Sequence, residues 1–242
     1  MQIPDKINSL RDFYAFEQHV KTARANRGKD MIPDWYDIPV FYFSNPNAIY
    51  RHGDVVPMPR HTKWLDYELE MAFIIGKDGI NIPAEEAMEY IVGYTIMNDW
   101  SARDTQRKEM TVGLGPAKGK DFATSLGPEF VEPAALEPYR IGDGADTRFD
   151  LTMTAQVNGM ELSRGNAKDI YFTFAQLIER ASADVMLFAG DVIGSGTVGT
   201  GCLLELKGEE SPLGRWLQPG DVVTMEIEGI GILENTVGEP RS

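Results

Sequence analysis

Residues 65–75 are Leu65-Asp66-Tyr67-Glu68-Leu69-Glu70-Met71-Ala72-Phe73-Ile74-Ile75, and apolar residues recur at every second position. Side chains of a β-strand point to opposite faces in turn, so we predict a strand with an apolar face and with Glu68 and Glu70 together on the other face. The two carboxylates would lie roughly 7 Å apart and repel each other. Two interpretations are open: the solvated face of an edge strand, or a site where a divalent cation bridges the glutamates.

A second segment that carries a carboxylate favours the cation site. Residues 91–97 form an apolar, strand-forming run that ends at Asn98-Asp99, a turn signal. Asp99 should therefore project from a strand end, about thirty residues after the two glutamates. Oxygen ligands favour hard ions, so the pattern predicts a site for Mg²⁺, or for Mn²⁺ or Ca²⁺.

Composition and charge restrict the possible partners. The 242 residues carry a formal net charge of −14, and 43% of them are hydrophobic. A globular chain this acidic lacks the basic surface that nucleic acids and anionic membranes require, so we expect neither partner. No segment has the pattern of a signal peptide or a membrane span, which favours a cytoplasmic protein. The single cysteine, Cys202, excludes an internal disulfide and a cysteine zinc site, and we predict that it lies in a core strand.

The predicted elements are mostly strands. A helix is predicted over 10–26, with Ser9 at its N-cap, and the proline-rich residues 27–64 should be irregular and wrap or close over the core. Further helices are predicted over 83–88 and 170–183, and strands over 65–76, 91–97, 150–157, 191–194, 202–207 and 221–228, with a hairpin turn at Asn158-Gly159. We therefore predict an α+β fold, a mixed β-roll or sandwich with peripheral helices. We divide it into an N-terminal helix and lid segment, residues 1–60, and a catalytic domain, residues 61–242.

A glycine-rich loop separates two of these strands. Gly194-Ser195-Gly196-Thr197-Val198-Gly199 has the spacing of a dinucleotide-binding loop. The apolar run that follows predicts a strand instead of the helix that such a loop requires, so we reject a nucleotide site. We expect instead that the glycines bring backbone groups close to a ligand, with the hydroxyl of Thr197 beside them.

Several stretches together resemble the fumarylacetoacetate hydrolase family. They are Leu69-Glu70-Met71-Ala72-Phe73, Met97-Asn98-Asp99-Trp100-Ser101-Ala102-Arg103-Asp104, Leu114-Gly115-Pro116 with Gly119-Lys120, Gly194-Ser195-Gly196-Thr197, and Leu204-Glu205-Leu206. N-terminal matches are Asp12-Phe13-Tyr14, Gln18-His19 and Pro33-Asp34-Trp35. The resemblance covers nearly the whole chain and implies the fold of that family's C-terminal domain, a homodimer and a small anionic keto-acid substrate.

The resemblance also implies a role for each candidate side chain. A histidine alone on a helix is more often structural, and only the resemblance makes His19 a general base oriented by Glu205. Lys120 is the third implied catalytic residue. The implied metal ligands are Glu68, Glu70, Asp99 and Asp12, and the implied substrate-binding residues are Arg103, Gln106, Tyr42 and Thr197.

The expected reaction is metal-dependent hydrolysis of a carbon–carbon bond in an acylpyruvate or β-diketo acid, of the fumarylacetoacetate or fumarylpyruvate kind, in aromatic catabolism. One alternative is an oxaloacetate decarboxylase or tautomerase, or a 2-hydroxy-dienedioate isomerase. Those reactions use the same metal-stabilised enolate but no attack by water. Another alternative is a binding protein that keeps the cation site without catalysis.

Overall fold

The computed structural model describes residues 6–241 and consists mainly of β-strands. The strands are β1 (Leu10–Phe13), β2 (Phe41–Ser44), β3 (Ile49–Tyr50), β4 (Val55–Pro57), β5 (Leu65–Asp66), β6 (Leu69–Ile75), β7 (Ile91–Asp99), β8 (Ser101–Ala102), β9 (Thr124–Leu126), β10 (Arg140–Ile141), β11 (Arg148–Phe149), β12 (Thr152–Val157), β13 (Met160–Asn166), β14 (Val192–Gly194), β15 (Val222–Ile227) and β16 (Gly231–Gly238). The α-helices are α1 (Glu17–Ala25), α2 (Ala84–Ala87), α3 (Arg103–Met110), α4 (Pro133–Leu136) and α5 (Phe174–Ser182). The predicted α+β class is confirmed.

Two mixed sheets form the body of the protein. The larger sheet has seven strands in the order β2-β1-β14-β6-β7-β9-β3, and the smaller has five in the order β13-β12-β15-β16-β4. Met71 and Phe73 of the larger sheet and Met153 and Met225 of the smaller belong to one buried hydrophobic cluster. The sheets therefore pack on each other through a common core, as in the predicted sandwich.

Alternation along β6 separates the two faces of the larger sheet. Met71 and Phe73 belong to the main core, whereas Ala72 and Ile74 belong to a second, smaller cluster. Glu70 precedes Ala72 by two residues, so it shares the face of the second cluster. The strand pattern predicted for residues 65–75 is confirmed, except that the strand is interrupted at residues 67–68.

The helix predicted over 10–26 is wrong in its first part. Residues 10–13 form β1, an inner strand of the larger sheet, and the helix begins at Glu17. All four residues of β1 are buried. A strand that is buried on both faces does not show an alternating pattern in its sequence. Asp12 therefore lies on a strand, and it does not share a helix face with His19.

The strand predicted over 202–207 is also wrong, because these residues form a bend and turns. The carboxylate of Asp66 accepts hydrogen bonds from the backbone N–H groups of Leu203 at 2.8 Å and Leu204 at 3.0 Å. These bonds take the place of a strand ladder. Cys202 is buried, as predicted, but it lies on this turn segment and not on a strand.

The remaining predictions are largely confirmed. Residues 27–64 are less irregular than predicted, since they contain β2, β3 and β4. The hairpin at Asn158-Gly159 joins β12 to β13, and α5, β14 and β15 lie where the sequence predicts them. Among residues 6–241, no helix is both long and apolar enough to cross a bilayer.

Candidate active site

Four carboxylates converge at one end of the larger sheet. They belong to Asp12, Glu68, Glu70 and Asp99, and one oxygen from each lies within 4.8 Å of the others. Asp12 follows Leu10 by two residues on β1, and Asp99 follows Met97 by two on β7. Leu10 and Met97 both belong to the second cluster. The period of two therefore puts these carboxylates on the same face of the sheet as Glu70.

Gly194 makes room for this cluster. It is paired with Asp12 on one side and Ala72 on the other. A Cβ atom at Gly194 would lie 2.7 Å from Asp12 Oδ1 and 3.1 Å from Glu70 Oε2. A larger residue would therefore push the carboxylates out of their positions.

The chemistry of the cluster fits a divalent cation. Asp12 Oδ1 and Asp99 Oδ1 are buried and have no hydrogen-bond partner among residues 6–241. Burial and the neighbouring Asp99 raise the pKa of Asp12 well above its usual range, and burial and Asp12 do the same for Glu70. Buried carboxylates that repel each other are stabilised either by protons, which the raised pKa values of Asp12 and Glu70 favour, or by a bound cation, and an all-oxygen donor set suits a hard ion.

Glu68 differs from the other three because cations surround it. Lys120 Nζ contacts Glu68 Oε2 and lies 2.5 Å from Asp99 Oδ2, while Arg103 Nη2 lies 2.7 Å from Glu68 Oε1. Burial acts to raise the pKa of Glu68, but Lys120 and Arg103 outweigh it and hold that pKa below its usual range. Burial acts to lower the pKa of Lys120, and the carboxylates of Asp99 and Glu68 raise it instead. The ion pair therefore favours the charged forms of both Glu68 and Lys120.

Arg103 connects the cluster to a residue that the sequence analysis missed. Its Nε donates to Asp66 Oδ2 at 2.8 Å, and its Nη1 donates to Gln106 Oε1 at 3.0 Å. Asp66 also holds the turn that carries Glu205. The place of Asp66 near the site was detectable from the sequence, because Asp66, Glu68 and Glu70 occupy alternate positions and so share one strand face. Arg103 and Gln106 lie together on α3, and their contact with a substrate remains a prediction.

His19 and Glu205 form a buried pair. His19 Nδ1 lies 2.8 Å from Glu205 Oε2, and the side chains are only 4% and 2% exposed. The backbone N–H of Thr200 donates to Glu205 Oε1 at 3.1 Å, which holds the carboxylate in place. With the imidazole proton on Nδ1, Nε2 is the ring nitrogen that can accept a proton. A histidine oriented by a buried carboxylate has the arrangement of a general base.

Tyr42 and Thr197 contact the carboxylates directly. The hydroxyl of Tyr42 donates to Asp12 Oδ2 at 3.2 Å and to Asp99 Oδ2. The hydroxyl of Thr197 donates to Glu70 Oε1 at 3.3 Å. The sequence analysis assigned Tyr42 and Thr197 to substrate binding, which remains a prediction, and the structure shows that their hydroxyls bind the carboxylates of the cluster.

One cavity of about 340 Å³ joins most of these groups. Nine of the predicted site residues line it: Asp12, His19, Tyr42, Glu68, Glu70, Arg103, Gln106, Lys120 and Thr197. Asp99 and Glu205 do not line it but contact two residues that do, Lys120 and His19. A larger hollow of about 580 Å³ lies elsewhere, but its aspartates, Asp37, Asp146 and Asp169, are exposed. We therefore take the smaller cavity as the candidate active site.

Comparison with known proteins places this site in a family. Residues 8–238 match the family model described as fumarylacetoacetate (FAA) hydrolase C-terminal. The chain is 36% identical over 203 residues to the oxaloacetate tautomerase YisK of Bacillus subtilis, a match that covers 83% of this chain and 61% of that protein. It is 32% identical over 253 residues to the fumarylacetoacetase of Bos taurus, covering 86% and 60%. The chain thus spans about three fifths of these two relatives.

A solved structure agrees with this comparison. The 5-carboxymethyl-2-hydroxymuconate delta-isomerase of Mycobacterium smegmatis superposes with a TM-score of 0.75 at 28% identity, covering 100% of this chain and 83% of that one. The relatives include a hydrolase, a tautomerase and an isomerase, so the comparison supports an enzyme without selecting one of these reactions. The family model covers nearly the whole chain, and the chain therefore belongs to the fumarylacetoacetate hydrolase family.

Proposed function

We propose that this enzyme is a metal-dependent hydrolase that cleaves a carbon–carbon bond of an acylpyruvate or β-diketo acid. The observation that carries the proposal is the buried hydrogen bond between His19 and Glu205 in the wall of the cavity that holds the carboxylates. Hydrolysis needs a base for water in addition to a means of stabilising an enolate. The His19–Glu205 pair provides that base.

The four-carboxylate cluster is the proposed cation site. Asp12, Glu68, Glu70 and Asp99 would hold Mg²⁺, or Mn²⁺ or Ca²⁺, because these ions prefer oxygen ligands. The bound cation supplies positive charge that orients the oxygens of a keto acid and favours its enolate. Tyr42 and Thr197 keep the carboxylates oriented through their hydroxyl groups.

The remaining residues act on the water and on the carbonyl that it attacks. Nε2 of His19 takes a proton from water, and Glu205 stabilises the imidazolium through Nδ1. The ammonium group of Lys120 has three N–H donors, and its contacts with Glu68 and Asp99 leave one of them for an oxyanion. The amide of Gln106 is a second donor. One such donor is typically worth about 3–4 kcal/mol in the transition state.

A second candidate is enolate chemistry without hydrolysis. The identity to an oxaloacetate tautomerase, 36%, exceeds that to the fumarylacetoacetase, 32%. A tautomerase, decarboxylase or isomerase would use the carboxylate cluster and Lys120 in the same way. It would not need His19 to activate a water for attack.

Product analysis separates the two candidates. The purified protein is incubated with a panel of acylpyruvates and with oxaloacetate in the presence of Mg²⁺ or Mn²⁺, and products are identified by mass spectrometry. Hydrolysis yields two acids, decarboxylation yields CO₂, and tautomerisation or isomerisation conserves mass. The proposal expects two acids from an acylpyruvate, and no such product after metal removal with a chelator. Turnover that only conserves mass or only releases CO₂ would reject it.

The assembly and setting belong to the same proposal. We propose a homodimer, as the family resemblance implies, and a cytoplasmic protein that acts in aromatic catabolism. In the proposed division, residues 1–60 supply Asp12, His19 and Tyr42 to the site of a catalytic domain, residues 61–242, and share its larger sheet through β1, β2 and β3. Multi-angle light scattering at micromolar concentration tests the assembly. A monomer mass would contradict the dimer.

A further inference from the structure

Three different ligand atoms meet beside the cavity, at His19 in its wall. Glu205 Oε2 lies 2.8 Å from His19 Nδ1 and 3.6 Å from Cys202 Sγ, and Sγ lies 4.0 Å from Nδ1. All three side chains are buried, and Cys202 has no exposed surface. None of them belongs to the four-carboxylate cluster, so they form a separate group of potential metal ligands.

The triangle formed by these atoms has the dimensions of a zinc site. A point equidistant from Nδ1, Oε2 and Sγ lies about 2.1 Å from each. Zinc bonds to nitrogen and oxygen are about 2.0–2.2 Å long, and those to sulfur are about 2.3 Å. An ion slightly out of the plane reaches all three atoms once Nδ1 and Oε2, which lie 2.8 Å apart, separate by about 0.5 Å to the spacing of ligands around a tetrahedral ion. A mixed nitrogen, sulfur and oxygen donor set favours Zn²⁺ over Mg²⁺.

Neighbouring groups hold two of these ligands in position. The backbone N–H of Thr200 donates to Glu205 Oε1 at 3.1 Å and leaves Oε2 directed at the imidazole. The side-chain amide of Asn26 donates to the carbonyl of Leu204 at 3.0 Å, which ties the turn carrying Cys202 and Glu205 to the end of α1. Such outer contacts orient metal ligands and affect metal affinity.

We propose that His19, Cys202 and Glu205 form a second metal site, for a thiophilic divalent cation such as Zn²⁺, and that its occupation inhibits the enzyme. The thiol proton of Cys202 and the proton between His19 and Glu205 pass to the buffer when the ion binds. The ion then takes Nδ1 and Oε2, so the imidazole loses its carboxylate partner. A lone cysteine argued against a cysteine zinc site at the level of sequence. The proposed site needs only one cysteine, because an imidazole and a carboxylate supply the other two donors.

Cobalt is a suitable probe for the site itself. Co²⁺ bound to a thiolate absorbs strongly in the near ultraviolet, whereas Co²⁺ held by oxygen ligands does not. We expect the wild-type protein to show the thiolate band, Cys202→Ser and Cys202→Ala to lose it, and Glu70→Gln to keep it. The affinity for Zn²⁺ should fall in Cys202→Ser by at least about 10–100-fold, the loss seen when only an outer partner of a metal ligand is removed. A wild-type protein without the thiolate band at saturating Co²⁺, or equal Zn²⁺ affinity in Cys202→Ser, would overturn the proposal.

The inhibitory effect rests on the proposed function and is measured separately. With Mg²⁺ saturating, Zn²⁺ should inhibit the wild-type enzyme at concentrations that leave Cys202→Ser and Cys202→Ala active. Equal inhibition of all three proteins would reject the inhibitory role. The cobalt band requires no turnover, so it tests the metal site even if the hydrolase reaction is wrong.

Discussion

Gly194 is the position where one added methyl group tests the geometry of the carboxylate cluster. A Cβ atom there would lie 2.2 Å from Met97 Cε and 2.7 Å from Asp12 Oδ1. The flexible end of Met97 can turn away, but Asp12 is held beside Gly194 by the pairing of β1 with β14. In Gly194→Ala, the carboxylate of Asp12 must therefore move by about 0.7 Å, from 2.7 Å to the 3.4 Å at which ordinary contact begins.

A displacement of this size is large for a metal ligand. Mg²⁺ requires near-octahedral geometry with bonds of about 2.0–2.1 Å. We expect the affinity for Mg²⁺ and Mn²⁺ to fall by about 10–100-fold, the range found when the support of a metal ligand is disturbed. The methyl group also overpacks the sheet, so the free energy of unfolding should decrease by about 1–3 kcal/mol.

Isothermal titration calorimetry measures the metal affinity, and urea unfolding in a chelator measures the stability. Gly76→Ala is the matched control, because its Cβ would lie 2.7 Å from Val92 Cβ, just beyond β6 and away from the carboxylates. The control should lose stability and keep its affinity for metal. Unchanged metal affinity in Gly194→Ala would refute the reasoning that Asp12 and Glu70 hold a cation.

Three further predictions address the same site. Glu68→Gln and Glu70→Gln should each abolish activity with the circular dichroism spectrum unchanged, since each removes a charged ligand; unaltered Mg²⁺ and Mn²⁺ affinities in calorimetry would contradict this. Amide hydrogen exchange across residues 12–45 should slow when metal and oxalate bind, because Asp12, His19 and Tyr42 of that segment line the cavity and a bound ligand would hold the segment over it, and no change with oxalate bound would oppose a lid. In the metal-free protein, the raised pKa values of Asp12 and Glu70 mean that the folded state binds more protons than the unfolded state above about pH 4. Their contribution to the free energy of unfolding should therefore decrease as the pH rises, and urea unfolding with a chelator should show a weaker decrease in Glu70→Gln than in the wild type.

Local sequence patterns predicted the parts of the fold that depend on nearby residues. The alternation in residues 65–75 predicted Glu70 on the face opposite the main core, because a strand that separates two environments carries that period itself. The Asn158-Gly159 turn was predictable for a similar reason, since its φ angles of 53° and 79° suit asparagine and glycine. The amphipathic helix predicted over 170–183 begins only at Phe174, where Thr173 and Gln176 form a capping box.

Distant partners determine the parts that were mispredicted. Residues 10–13 form a strand because β14, about 180 residues away, pairs with them, and their complete burial removes the alternating signal. Residues 202–207 have an apolar pattern typical of a strand, but the hydrogen bonds from Leu203 and Leu204 to Asp66 form a turn instead. Because such contacts join distant segments, spacing alone could not bring Glu205 to His19, and only the family resemblance suggested the pair.

The central claim is that His19, oriented by Glu205, activates water. It is tested most directly by measuring the rate at which His19→Ala forms each product. Carbon–carbon hydrolysis of an acylpyruvate should fall by about 10²–10⁴-fold, the usual effect of removing a general base. Glu205→Gln should lose nearly as much, and the double variant little more than either single, because the two residues act as a unit. Calorimetry should show that metal affinity is unchanged, since His19 is not a ligand of the carboxylate site. Tautomerase or decarboxylase turnover that persists in His19→Ala at the wild-type rate would contradict the hydrolase and identify the enzyme with enolate chemistry instead.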